Sequence, residues 1–558
     1  MEGRTRPCTI SLATSTGDES PSGSSASSRP SSPQSRLSPL SPLSPLSHSL
    51  SSDDMLTSLQ PTLIRGVALH TCLSGLGRHW RRPSFNESLR SEYDLSSRTR
   101  SYDFFFSHDW ETNGWLKFVS LLVLFNSRAA TLATLAYSLL AAAVFPPGTG
   151  TLPSHWLPII GYLVFLVFLV SWQHLRAAVR ASRTAFLDKL CIPQGDEELK
   201  ASCIFRLSSF LDRSKSLVVL WSPQYFSRLW CMYEVATFLR DRRQQRSQSG
   251  KPVVFLPVQV SVLYLVTFIA NSVLHFSTLS AAAMWRFQDQ SFGAMAWFIL
   301  CNSSLPWVFL PTCFRLCTDV LQDAAKLRDQ FLSFRIQDSM CFCCQHGHQH
   351  PETGGDIPCD RQLIYGVLQK WFGSSAHSQE ECLDTFNRLV RTELAPPVLR
   401  KLEDETLMAQ YLTTAGFASF LPWIPILLPA WLTELRSACE GHAGYGKLLR
   451  SRGMDLNIVL VLLCCVHWRV KVIGPLGLRL RSSLSPAVTV ALQVLAELFL
   501  GLGSWLLFPM SVLLVHEDSL IPALPLCLLL LLNVVLYKRA AEERGSGFLA
   551  GKLLRKSQ

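Results

Sequence analysis

Charge is scarce in this chain. Only 17% of its 558 residues are Asp, Glu, Lys or Arg, against about a quarter in ordinary soluble domains. That deficit, with 48% hydrophobic residues and a mean hydropathy of +0.21, argues against a wholly soluble protein. The first 50 residues hold no apolar run, which excludes the apolar core of a cleaved secretory leader there. The first apolar helix is then expected to act as its own insertion signal. No basic run interleaved with aromatics occupies a compact stretch, so the net charge of +11 does not point to nucleic acid. It suits the cytosolic loops of a membrane protein. A disulfide framework is missing as well. The 17 cysteines are scattered, several inside apolar runs (Cys301, Cys313, Cys464, Cys465, Cys527), and read as reduced, intracellular or membrane-buried thiols. No internal sequence repeat is visible.

What the chain has in abundance is apolar runs of membrane length, about 20 residues or more. They suggest about eight transmembrane helices near 129–145, 156–172, 258–282, 293–314, 411–432, 455–473, 487–515 and 519–537. The partner implied is a lipid bilayer, with both termini cytosolic. Arg128 sets the start of the first span, because a mid-membrane Arg is unfavourable. The basic blocks between spans belong inside by the positive-inside rule. One loop, 433–453, disagrees: it would lie outside, yet it holds Arg436, Lys447, Arg450 and Arg452. The stretch FLPWIPILLPAW offers a re-entrant alternative.

The domains follow from these shifts in composition. Residues 1–60 form a Ser/Pro-rich tail that cannot bury enough apolar area to order itself. Its Ser-Pro steps at Ser38, Ser41 and Ser44 suit either proline-directed phosphorylation or a plain solvated tail. An Arg-rich segment with a first strand occupies 61–115, a two-span hairpin 116–175, and an α/β remainder 176–258. A second pair of spans fills 259–315, a Cys/His-containing helical region 316–408, further spans 409–537, and a basic tail 538–558.

Between the spans lies a unit of a different kind. SLVVLW is a continuous apolar run, the pattern of a strand covered on both faces in a parallel sheet. Ser222 and Pro223 follow as cap and first-turn proline, and a helix is expected from there to about Arg243. KPVVFLPV reads as another buried strand. GDEELKASCIFRLSSFLDRS reads as an amphipathic helix capped by Asp196, with Leu199, Ile204, Leu207 and Leu211 on its apolar face. Strands alternating with helices predict a parallel α/β sheet.

Two stretches then carry a family resemblance. SYDFFFSHDW resembles the first strand of a Toll/interleukin-1 receptor (TIR) domain. CIFRLSSFLDRSKSLVVLWSPQYFSRLWCMYEVATFL resembles the stretch from that domain's second helix through its third, with Trp230-Cys231-x-x-Glu234 at the matching spacing. The combination with many spans also resembles multi-pass TIR-like membrane proteins of dinoflagellate algae, a likeness that implies no activity. The expected fold class is therefore mixed: a cytosolic parallel-sheet α/β module, TIR- or flavodoxin-like, interrupted by two spans and truncated after KPVVFLPV, plus about eight transmembrane helices. The interruption is geometrically tolerable, because a two-span hairpin returns the chain to the side it left.

In catalytic TIR domains the glutamate equivalent to Glu234 helps cleave the bond between nicotinamide and ribose in NAD. The resemblance thus implies NAD as substrate and the activity of an NAD glycohydrolase, with Glu234 catalytic and Ser107, His108, Ser222 and Trp230 around the nucleotide. It also implies self-association through the module. The alternative for Glu234 is a surface acid on an amphipathic helix, and for His108 a polar strand-end residue.

A second constellation is CFCCQHGHQHPETGGDIPC. Cys341, Cys344, His348 and Cys359 form a sulfur and nitrogen set that zinc prefers; reduced loop thiols and lipid attachment remain open beside it. Ionisable residues inside the spans are few: Arg128, His467 and Glu497. The function read from the whole is signalling, by NAD cleavage or by module self-association. A channel or transporter with an α/β regulatory insert, and a non-catalytic membrane interaction protein, are the alternatives.

Overall fold

The computed structural model describes residues 60–81, 92–145, 156–193, 196–244, 252–287, 292–349, 354–356, 359–372, 378–396, 398–399, 406–441, 444–513 and 519–535. The Ser/Pro-rich tail up to residue 59 and the basic tail over 538–558 lie outside the described residues.

Six strands form one sheet: β1 (Arg65–Ala68), β2 (Ser97–Arg98), β3 (Phe104–His108), β4 (Thr184–Phe186), β5 (Leu217–Trp221) and β6 (Val253–Pro257), in the order β2-β1-β4-β3-β5-β6. The strands β3, β5 and β6 are parallel, as expected from the sequence, and β4, which the sequence did not show, joins them in parallel. All five residues of β5 are buried, as for a parallel strand covered on both faces, and parallel neighbours pair with it on both edges. The all-parallel expectation needs correcting at one edge, where β1 runs antiparallel to both β2 and β4. The Arg-rich segment supplies that edge. Tyr102 donates its hydroxyl to the Arg65 carbonyl (2.9 Å), and Arg65 donates to the Ser96 hydroxyl (2.9 Å).

The chain leaves β3 through the helix α1 (Gly114–Val144) and returns to β4 through α2 (Trp156–Ala178). The connection between two adjacent parallel strands is thus a pair of membrane-length helices. Asn113 caps α1, accepting from the Trp115 N–H (2.8 Å). A Cβ at Gly114 would stand 2.6 Å from the Trp80 carbonyl oxygen, so only glycine lets the helix begin this close to that segment. The first turns of α1 bury Phe118, Val119, Leu121 and Leu122 in the α/β core. The helix continues without a break to Val144, and Gly114–Val144 as a whole is long and apolar enough to cross a membrane, so no division appears at Arg128.

Next come α3 (Glu197–Phe205), α4 (Leu207–Asp212), α5 (Leu229–Gln244), α6 (Val258–Phe287), α7 (Phe292–Leu332), α8 (Asp360–Phe372) and α9 (Gln379–Leu389). Asp196 caps α3 as expected, accepting from the Leu199 N–H (3.0 Å). The single helix expected over this stretch is instead two. Arg206 breaks it with a non-helical φ/ψ, which turns Leu207, Phe210 and Leu211 into the core and leaves Leu199 exposed. The helix expected from Ser222 also starts later, at Leu229. Arg228 is extended and forms a parallel bridge with Met340, so the intervening residues make only a 3-10 turn, Tyr225–Ser227.

Among the described residues, five helical segments are long and apolar enough to cross a membrane: Gly114–Val144, Trp156–Ala178, Val258–Phe276, Gln410–Cys439 and Asp455–Arg481. They confirm five of the expected spans and leave the count of about eight unconfirmed. The stretch expected near 487–515 is a 28-residue helix, Pro486–Leu513, and the described part of the stretch near 519–537 is a shorter apolar helix, Ala523–Val535. The stretch near 293–314 opens the 41-residue helix α7. FLPWIPILLPAW is helical throughout, with a 3-10 turn at Leu421–Trp423, so it does not re-enter as a loop. In the 433–453 region Arg452 pairs with Glu434 (2.7 Å) and Arg436 with Glu440 (2.9 Å). Glu497, a rare acid in an apolar helix, accepts from Arg469 (2.6 Å), and both are buried.

The Cys/His-containing region shares its core with the α/β module. Phe331 packs edge-on to Phe226, ring centroids 4.6 Å apart, and Trp371 stacks on Tyr233 at 5.6 Å. Gln330 donates to the Pro223 carbonyl (2.6 Å). Each such buried aromatic stabilises the joint core by about 1.5–3 kcal/mol relative to exposure.

Candidate functional site

A cleft of about 530 Å³ opens beyond the carboxyl ends of the parallel strands. That is the place where open α/β sheets hold ligands, at the point where strand order reverses, and the volume suits a small-molecule site. Here β3 and β5 adjoin while β4 lies on the far side of β3.

Ser107, near the end of β3, is fully buried. Its hydroxyl donates to the carboxylate Oε2 of Glu234 on α5. Having spent its one proton there, it accepts from the Tyr225 hydroxyl (2.5 Å). A chain of hydroxyls therefore runs from Tyr225 through Ser107 to Glu234, which reaches the cleft. Burial pushes the Glu234 carboxyl up to about 8. The Ser107 hydrogen bond opposes that rise, and the charge of Asp188 adds to it. Asp188 follows β4, lines the same cleft, and accepts from the Trp110 indole N–H (2.9 Å). Its carboxyl is also raised, by burial first, against the pull of its hydrogen bonds and of Lys117. Two acids with raised pKa in one cleft are the kind of arrangement that tunes carboxyl groups for chemistry.

Trp230 lines the cleft one turn before Glu234, and its indole donates to Asp360 (3.2 Å). His108 also lines it. It is buried edge-on to Trp110 (4.5 Å) and Trp80 (5.4 Å), and burial with the nearby Lys117 holds it neutral, well below the usual histidine range. A neutral, tightly packed ring is a wall rather than a proton donor. Ser222 is buried at the end of β5, outside the residues that line the cleft. Glu234, Ser107, Trp230 and His108 thus come together, and Ser222 stands apart.

Sequence reasoning missed Asp188, Tyr225 and Arg228. Arg228 stands at the cleft between Asp109 (3.6 Å) and Glu111 (3.8 Å). Tyr225 carried a signal, since a tyrosine follows the serine in the stretch that resembles TIR domains. Asp188 carried none, because its strand is three residues long and follows the inserted hairpin. Met340 and Phe342, from the cysteine-rich loop, close the far wall.

In that loop Cys344, His348 and Cys359 gather with Cys343 rather than with Cys341. Cys341 lies beside Cys343 (2.9 Å between sulfurs) and groups with Asp360. Slight burial disfavours the Cys344 thiolate, but hydrogen bonds led by His348 and Arg361 outweigh it and push the thiol down to about 7.

Compared with known proteins, the chain matches no family model, no curated protein and no solved structure.

Proposed function

We propose that this is a multi-pass membrane protein whose cytosolic α/β module is TIR-like and cleaves NAD, signalling through that cleavage. The observation that carries the reading is the Tyr225–Ser107–Glu234 chain ending in a cleft at the carboxyl ends of the strands. The order of the parallel strands supports it. Counted along the chain they lie second, first, third, fourth, the flavodoxin-like doubly wound order.

In the proposed reaction the bond between ribose C1′ and the nicotinamide nitrogen breaks. Its electron pair leaves with the nitrogen and discharges the pyridinium. Positive charge develops on the ribose, and the Glu234 carboxylate, oriented by Ser107, stabilises it. Water adds to C1′ and releases a proton, giving ADP-ribose and nicotinamide. Trp230 supplies a flat wall for the departing ring. Self-association of the module, the non-catalytic reading, uses the same fold without the chemistry. The pairing of Glu497 with Arg469 supports signalling over a channel or transporter, because it gives this buried acid a structural partner.

Full-length protein clustered in vesicles is expected to release nicotinamide from NAD. Its absence there would leave self-association as the function. Turnover should rise with pH to a midpoint near 8, the value at which Glu234 ionises. Asp188→Asn should move that midpoint to lower pH, since removing the neighbouring negative charge eases ionisation of Glu234.

The proposed topology has a separate test. The joint core of module and Cys/His region lies inside, and the turn after Gln410–Cys439 lies outside. Cys439 is an exposed free thiol. A membrane-impermeant thiol reagent should label it in intact cells, and a Cys439→Ser variant should lose that labelling. Cys191 is fully buried and should stay unlabelled from either side.

A further inference from the structure

The cysteine-rich loop holds a group of ligands that the proposed NAD chemistry does not use. We propose that Cys343, Cys344, His348 and Cys359 bind one structural zinc ion, which fastens the loop against the α/β module and fixes one wall of the cleft.

Distances carry the assignment. The Cys344 sulfur lies 3.8 Å from Cys359 Sγ, 4.0 Å from Cys343 Sγ and 3.6 Å from His348 Nε2. All four ligand atoms lie within 4.8 Å of one another. A tetrahedral zinc with bonds of about 2.3 Å to sulfur and about 2.0–2.1 Å to nitrogen requires edges of about 3.8 Å between sulfurs and about 3.6 Å from nitrogen to sulfur. The three edges from Cys344 match. The 2.9 Å separation of Cys341 and Cys343 does not, which sets Cys341 outside the tetrahedron. Three thiols and one imidazole form a soft donor set that disfavours calcium and magnesium.

The backbone is shaped to the same end. Gly347 and His348 are both left-handed (φ 60° and 62°), a conformation uncommon outside glycine. It folds the chain back so that the His348 N–H donates to the Cys343 carbonyl (2.8 Å) and its ring reaches Cys344. The Asp360 N–H donates to the Cys343 sulfur (3.3 Å), the type of surrounding hydrogen bond that steadies a metal-bound thiolate.

The site is tied to the module on both flanks. Before it, the Met340 N–H donates to the Ser227 carbonyl (2.5 Å) and the Leu229 N–H to the Met340 carbonyl (3.1 Å). After it, Asp360 accepts from Trp230. A metal holding Cys343 to Cys359 would therefore clamp the start of α5, five residues before Glu234.

The test uses the full chain, purified in detergent without chelator. It should carry about one zinc per chain, with absorption-edge distances of three sulfurs and one nitrogen. After chelation, Co²⁺ should give the visible spectrum of a tetrahedral thiolate site, and Zn²⁺ should displace it. Cys344→Ser and Cys359→Ser should lose the metal, and Cys341→Ser should keep it. Should the serine variants fail to fold, the wild-type cobalt titration decides alone. Wild type with neither zinc nor a cobalt spectrum would overturn the proposal, as would equal metal loss in Cys341→Ser. None of these readouts depends on NAD turnover.

Discussion

Glu234→Gln is expected to lower nicotinamide release by at least about 100-fold, the scale seen when one preorganised electrostatic group is removed from a transition state. The amide keeps the shape and still accepts from Ser107, so folding and membrane insertion should persist. Its effect on stability should run the other way from its effect on activity. An acid whose folded pKa stands near 8 binds a proton in the folded state that the unfolded chain has already released. Wild-type stability therefore falls as pH rises from the ordinary carboxylate range through about 8. Glu234→Gln carries no such penalty. Above pH 8 the variant should melt later than wild type, by an amount on the order of a few kcal/mol, since each pKa unit corresponds to about 1.4 kcal/mol. Below pH 4 the two should converge. Equal turnover in wild type and variant would remove Glu234 from the chemistry, and equal melting at high pH would show that its carboxyl is not raised.

The second large effect is expected in the apolar helices. Arg469→Met alone, or Glu497→Leu alone, leaves one buried charge without its partner and should destabilise the detergent-solubilised protein by about 3–5 kcal/mol. The double variant replaces both with apolar groups and should recover most of that loss. Thermal unfolding of the three variants checks it. A double variant as unstable as the worse single one would mean that the two residues do not act as a pair.

The parts legible in the sequence were those whose signal is continuous. SLVVLW stood out because burial on both faces removes polar residues from a strand; KPVVFLPV was legible from its apolar run although its strand lies at the sheet edge with Val253, Val254 and Phe255 only half-buried. The cap at Asp196 was legible because capping is local, settled within three residues. Glu234 and Trp230 could be placed together because one helical turn separates them. What escaped depends on distant partners. β1 and β4 are four and three residues long, too short for a periodic pattern, and exist because each completes a ladder begun elsewhere. The start of α5 was misplaced because Met340, far along the chain, captures Arg228 in a bridge. Cys341 was preferred over Cys343 because ligand spacing along a chain does not reveal which sulfurs a left-handed turn at Gly347 and His348 turns inward.

The membrane hairpin between β3 and β4 bears on how the protein is assembled. β3 ends at His108 and β4 begins at Thr184, so two strands that lie side by side are made far apart in time, with both helices of the hairpin synthesised between them. In a bilayer the sheet can close only after α1 and α2 have inserted with their outer ends on one side. Ser107 precedes the hairpin and Glu234 follows it, so the cleft needs both ends of the hairpin brought together. On the proposed function, insertion of the hairpin would then act as a checkpoint: the cleft that holds Ser107 and Glu234 is complete only when both ends of the hairpin have returned to one side.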